Sequence, residues 1–149
     1  MLTPLDIFST LFAAFCHDYQ HDGFNNGYHV ATKSERFRLY GADGVQEKYH
    51  FAESWKVVER NKMLQHLSQS EQALFKQRMQ SCILATDMAK HMGDLNEVKN
   101  ILAEHVAGGK RLVDPEVMDE QALVKRQQTF LDLAVHASDI SFLARSTSV

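Results

Sequence analysis

Nowhere does this chain alternate apolar and polar residues with period two over the length of a strand, and it contains no β-branched run. Helical periodicity recurs instead. Leu5, Phe8, Leu11, Phe12 and Phe15 follow the i, i+3, i+4, i+7 spacing of one helix face. Thr3-Pro4 precedes them as an N-cap with proline at the first helical position. The string "SQSE" at 68–71 is a capping box, and a long stripe of Phe75, Met79, Cys82, Thr86 and Ala89 follows it, with Gly93 as the expected stop. Residues 34–40 form a short helix closed by Gly41 and Gly44, and residues 45–60 form another, with Tyr49, Ala52 and Trp55 among the inward candidates. "DLNE" at 94–97 opens a segment with Leu95, Val98, Leu102 and Val106 on one face. After Gly108-Gly109, Asp114-Pro115 restarts a helix whose apolar side is Leu123, Phe130, Leu131, Ala134 and Val135. Asn26-Gly27 is a turn dipeptide without flanking strands. The expected class is all-α, a compact multi-helix bundle with short connections.

The 149 residues suit one domain. Apolar content of 44%, charged content of 23% and a net charge of −3 are ordinary for a soluble protein and leave no electrostatic footprint for nucleic acid. No apolar run approaches the ~20 residues that span a bilayer, and no secretory signal is expected before the first helix. Cys16 and Cys82 fit neither a CxxC motif nor a disulfide framework, so free thiols in a reducing, cytoplasmic setting are expected.

The eight histidines are unevenly placed: His17, His21 and His29 fall between Cys16 and Val30, the first two within the polar stretch "CHDYQHDGFNN". Buried ionisable groups are costly unless paired. On a helix, His17 and His21 would share a face at i, i+4, with Asp18 within reach of the same cation. Imidazole with carboxylate suits Zn²⁺, and the carboxylate also tolerates Mg²⁺ or Mn²⁺. Taken alone, a polar loop at a helix end is the commoner meaning of such a pattern. Glu47 and His50, spaced i, i+3, read separately as a surface carboxylate and a core histidine. Asp87 and His91 read as an i, i+4 surface pair, and His136 and Asp139 as the polar end of an apolar stripe. Together, acidic and imidazole groups on several helices match the way metal sites are built inside bundles.

The motifs also have a collinear counterpart. His17, Asp18, His21, Gly23 and Asn26 meet the pattern HDxxHxGxxN, and "SERFRLYGADGVQEKYHFA" at 34–52 supplies a serine–glutamate start, Tyr40, and a Val45, Glu47, His50, Ala52 frame. "ILATDMAKHM" at 83–92 and "HASDIS" at 136–141 come next in order. Over essentially its whole length the chain resembles the catalytic domain of class I cyclic nucleotide phosphodiesterases, with its histidine–aspartate type of helical fold. The resemblance implies hydrolysis of cAMP or cGMP to the 5′-monophosphate in signal transduction. It implies a zinc-like first metal held by His17, Asp18 and Asp139, and a second ion, Mg²⁺ or Mn²⁺, bridged by Asp18. His21, Glu47 and Thr86 would act through water on the second ion, and His50 would support that network. The logic is that of two-metal attack on phosphorus.

The family also carries an upstream general-acid histidine, an upstream fourth metal ligand, and a downstream glutamine with aromatic residues for the base. None of the sixteen residues before His17 is histidine, and the sequence stops at Val149. Gly41-Ala42 and Phe142-Leu143 stand where asparagine–aspartate and asparagine–proline pairs are common. The chain is therefore expected to be the central portion of such a domain, spanning 1–149. These residues alone are expected to bind Zn²⁺ loosely and to hydrolyse cyclic nucleotide negligibly. The alternatives are a helical remnant that binds metal or a partner without turnover, and another metal-dependent phosphohydrolase of the histidine–aspartate class.

Overall fold

The computed structural model describes residues 2–109, 112–114, 116 and 118–141. Seven helices run in order: α1 (Pro4–Cys16), α2 (Asn26–Thr32), α3 (Glu35–Tyr40), α4 (Val45–Arg60), α5 (Gln69–Leu84), α6 (His91–Gly108) and α7 (Glu120–Ile140). No strand occurs among the described residues, so the fold is all-α as the periodicity implies. No helix among them is long and apolar enough to cross a membrane.

The helix starts are local chemistry. The Thr3 hydroxyl accepts the Asp6 amide at 3.2 Å while the Asp6 carboxylate accepts the Thr3 amide at 2.8 Å. Ser68 and Glu71 make the same reciprocal pair at α5. The Asn25 side chain caps α2, a helix that the Asn26-Gly27 turn signal conceals. Ser34 caps α3, which Gly41 closes at φ +80°.

α5 is the central helix and packs against α1, α4 and α7. Its Phe75, Met79, Cys82 and Ile83 meet Ala13 and Cys16 of α1, Val58 of α4, and Leu131 and Val135 of α7. Both cysteines are buried free thiols. Burial pushes the Cys82 thiol up to about 12, with the Asp132 carboxylate adding to the effect.

Several expected faces are rotated. α1 buries Asp6, Ser9, Ala13 and Cys16, not the large-residue stripe. These small side chains let α1 and α5 approach closely. Phe8 and Phe12 still edge onto Phe75, with ring centroids 5.3 and 5.7 Å away. Leu11 and Phe15, in contrast, are 66% and 87% exposed. In α4 the fully buried line is Val45, Gln46, His50, Ser54 and Val58, while Tyr49, Ala52 and Trp55 are half-buried beside it. In α6, Val98 and Ile101 are buried, but Leu102 and Val106 face outward. Leu131 and Val135 carry the apolar contact of α7, and Ala134 is exposed.

α5 ends at Leu84, well before Gly93, which lies inside α6. Thr86 and Asp87 account for the break. The Thr86 hydroxyl donates to the Ile83 carbonyl at 2.8 Å, and Asp87 Oδ1 accepts the Ala89 amide at 3.0 Å. Short polar side chains thus divert the backbone from its helical ladder. α7 begins at Glu120 behind an Asp119 cap. The Pro115 restart and the Phe142-Leu143 pair lie outside the described residues.

Candidate metal centre

α1 stops at Cys16, and His17 is its C-cap residue. Residues 17–20 form a turn, and Gln20 takes the left-handed conformation at φ +59°. His17 and His21 therefore do not share a helix face, contrary to the spacing argument. The turn separates them and places Asp18 between two groups of side chains.

On one side, His17 Nε2 lies 3.2 Å from Oδ1 of Asp139, in the last turn of α7, and 3.5 Å from Oδ2 of Asp18. On the other, His50 Nε2 lies 3.9 Å from Oδ1 of Asp18. Asp18, His21 and His50 bring a carboxylate oxygen and two ring nitrogens within 4.8 Å of one another, the spacing of a metal site. The two oxygens of Asp18 thus face different partners. The structure brings His17, Asp18 and Asp139 together, and joins His21 and His50 to them through Asp18.

Backbone contacts determine which ring nitrogens are free. A carbonyl can only accept, so His17 Nδ1 donates to Ala14 O at 2.8 Å, and His50 Nδ1 donates to Tyr19 O at 2.7 Å. In the neutral rings both Nε2 atoms then carry a lone pair, as metal-ligating histidines require. His50 Nε2 is buried without a hydrogen-bond partner. Burial holds the His50 imidazole below its ordinary value, and the His21 and Arg36 charges act in the same direction against the Tyr19 carbonyl and Asp18. His21 differs: its Nδ1 accepts the Gly23 amide at 2.9 Å, so the neutral ring carries its proton on Nε2 and acts there as a donor. Its ring stacks on His50 with centroids 5.5 Å apart. The donor set and the orphaned Nε2 fit a cation beside Asp18.

Glu47, in the first turn of α4, stands outside this close grouping. Asn26 Nδ2 donates to its Oε2 at 2.9 Å, while Asn26 Oδ1 accepts the Gln46 amide at 2.8 Å. Burial raises the Glu47 carboxyl above its usual range, and the neighbouring Asp87 charge adds to this against the Asn26 hydrogen bond. Asp87 and Glu47 flank Gly44, where a Cβ would sit 3.7 and 3.6 Å from their Oδ2 and Oε2 atoms. Thr86 is buried in the turn between α5 and α6, its hydroxyl committed to Ile83. His91 is not in a plain surface pair with Asp87, because its Nδ1 meets His136 Nε2 at 2.8 Å.

The profile of the 3′5′-cyclic nucleotide phosphodiesterases matches residues 1–149. The chain belongs to this family. It is 30% identical over 150 residues to the dual specificity calcium/calmodulin-dependent 3′,5′-cyclic nucleotide phosphodiesterase 1 of Drosophila melanogaster, covering 99% of this chain and 16% of that protein. A probable 3′,5′-cyclic-AMP phosphodiesterase of Caenorhabditis elegans is 28% identical, covering 95% of this chain and 20% of the relative. The chain thus spans about a fifth of the length of these relatives or less. The phosphodiesterase domain of the RhoPDE fusion protein from the choanoflagellate Salpingoeca rosetta shares the fold at a TM-score of 0.79 and 23% identity, covering 94% of this chain and 42% of that one.

Within this phosphodiesterase fold, Gln20, Asp22, Arg36 and Gln46 form a polar frame around the turn. Gln46 Nε2 donates to Asp22 Oδ1 at 2.8 Å and to the Phe24 carbonyl at 2.6 Å. No local motif marks these residues, because their partners lie on other elements.

Proposed function

We propose that this chain carries the metal centre of a 3′,5′-cyclic nucleotide phosphodiesterase acting on cAMP, cGMP or both. The observation that supports this most is the Asp18 carboxylate, with Oδ2 toward His17 and Oδ1 toward His50, each histidine having its Nδ1 proton committed to a backbone carbonyl. A carboxylate so placed would serve two cations at once. His17, Asp18 and Asp139 would hold a zinc-like cation. The second Asp18 oxygen would share in holding Mg²⁺ or Mn²⁺. Bound there, such cations supply Lewis acidity at phosphorus and a water that ionises near neutral pH.

The remaining residues have tasks of their own. His21 offers an Nε2–H donor to water or a phosphoryl oxygen. Glu47, raised by burial and oriented by Asn26, accepts a proton from the water network more readily than a solvent carboxylate does. Thr86 adds a buried hydroxyl with free lone pairs. His50 braces the turn through Tyr19. The substrate is a cyclic nucleotide, nucleic acid has no part in it, and two buried free thiols suit a cytoplasmic setting.

Zn²⁺ titration of the protein and its Asp18→Ala variant tests the metal half of the proposal, and loss of binding in the variant is expected. Hydrolysis of cAMP and cGMP with Zn²⁺ and Mg²⁺, by a longer product that includes the family's upstream histidines and downstream glutamine, tests the rest. Turnover that survives both chelation and Asp18→Ala would overturn the reading.

A further inference from the structure

The turn that carries Asp18 and His21 has no regular secondary structure, and Gln20 within it sits at φ +59°, a conformation that non-glycine residues rarely adopt. Strain of that kind persists only where neighbouring groups hold it. The group that holds it here is on another helix. Arg36 of α3 donates from NH2 to the Gln20 carbonyl at 3.1 Å and meets Asp22 Oδ2 with NH1 at 3.3 Å. NH1 also donates to Gln46 Oε1 on α4. The guanidinium carbon lies over the Tyr49 ring, 3.7 Å from its centroid, and the Tyr49 hydroxyl donates to Gln20 Oε1 at 2.9 Å. One side chain therefore grips the residues on either side of His21 while stacking one residue from His50.

Asp22 is held as firmly from its other oxygen. Its Oδ1 accepts from Gln46 Nε2 at 2.8 Å and from the Phe24 amide at 3.2 Å, and lies 3.5 Å from His29 Nε2. Burial opposes ionisation of Asp22, but these hydrogen bonds and the Arg36 and His29 charges together hold its carboxyl below the usual range. The Arg36 side chain is only 16% exposed, so the contacts are not those of a freely solvated surface pair.

We infer that Arg36 is a positioning residue for the metal centre: by clamping Gln20 and Asp22 it sets the His21 imidazole against His50 and Asp18. The inference rests on the metal-centre reading above. Its chemistry needs the planar fork of arginine, because one guanidinium reaches a carbonyl, a carboxylate and a ring face together. An ammonium supplies the charge without that geometry.

The test is Mn²⁺ binding by the purified 149-residue protein, monitored by the loss of the free-ion paramagnetic signal. Arg36→Ala and Arg36→Lys are each expected to weaken Mn²⁺ about tenfold or more, the scale of supporting interactions around metal ligands. Amide exchange at residues 21–24 should quicken in both variants. Asp22→Asn, which keeps the shape and loses the charge, should act in the same direction if either arginine variant fails to fold. Val58→Ala, a core substitution about two turns along α4 from His50, should lower the melting temperature and leave Mn²⁺ affinity intact, which separates positioning from general stability. Wild-type affinity in folded Arg36→Lys or Arg36→Ala, with binding lost in Asp18→Ala, overturns the role of Arg36 alone. Failure of the wild type to bind Mn²⁺, or binding untouched by Asp18→Ala, overturns the metal-centre reading and this inference with it.

Discussion

His17 Nε2 and Asp139 Oδ1 stand 3.2 Å apart across 122 residues of sequence, joining the end of α1 to the last turn of α7. Both side chains are partly exposed, so without metal the pair contributes at most about 1 kcal/mol to stability. Asp139→Ala should therefore barely change the metal-free melting curve. In calorimetry the same variant should lose about tenfold or more in Zn²⁺ affinity. Equal Zn²⁺ binding by wild type and variant would remove Asp139 from the ligand set.

Arg78 presents a contrasting case, because it is among the most deeply buried large side chains. Its Nε donates to Asp6 Oδ1 at 3.0 Å, and NH1 donates to Gln128 Oε1 at 2.7 Å, tying α1, α5 and α7 together. Arg78→Met leaves the Asp6 charge buried without its partner and should cost about 3–5 kcal/mol in urea unfolding. Burial opposes ionisation of Asp6, but its bonds to the Thr3 amide and hydroxyl and the Arg78 charge outweigh that and lower its carboxyl. The stabilisation is thus complete above the ordinary aspartate range and is lost as pH falls through the lower folded value. Acid unfolding that begins well above that range in the wild type would argue against this pair as the acid-labile element.

Glu47 follows the opposite sign. Burial, then the Asp87 charge, raises its carboxyl, so the folded state binds this proton more tightly than the unfolded chain does. Stability is therefore lost as pH rises from the ordinary glutamate value through the folded one, and above it the fold bears the cost of a buried charge. In chelator, Glu47→Gln should melt higher than wild type at pH 8 and similarly at pH 4. A lower melting point at pH 8 would show that the ionised carboxylate stabilises the fold.

The outward face of α1 predicts an asymmetry between substitutions. Phe15→Ser, at a position 87% exposed, should change stability by no more than about 0.5 kcal/mol. Ala13→Leu, in the fully buried seam against α5, should cost about 1–3 kcal/mol by overpacking. Urea titrations of the two variants give the comparison directly, and a larger loss for Phe15→Ser would mean that the face is covered.

What the sequence by itself determined is what a few neighbouring residues can decide. The Thr3 cap before Pro4, the Ser68/Glu71 box, the short helix after Ser34 and the extent of α4 are set by hydrogen bonds spanning three or four residues, so each signal is contained in its own string. The ordered motifs from His17 to Asp139 were legible in the same way, as was the family they mark. Tertiary structure decided which face of α1 is buried, because close approach to α5 rewards the small Ser9 and Ala13 over the larger phenylalanines. The centre itself belongs to this second class. Asp18 faces His50, and Asp139 reaches His17, only because α1, α4 and α7 meet around α5, and Arg36 reaches the turn only from α3. Periodicity specifies a helix and its stripe, but the rotation of that helix against its neighbours is a sum over contacts with residues far away in sequence.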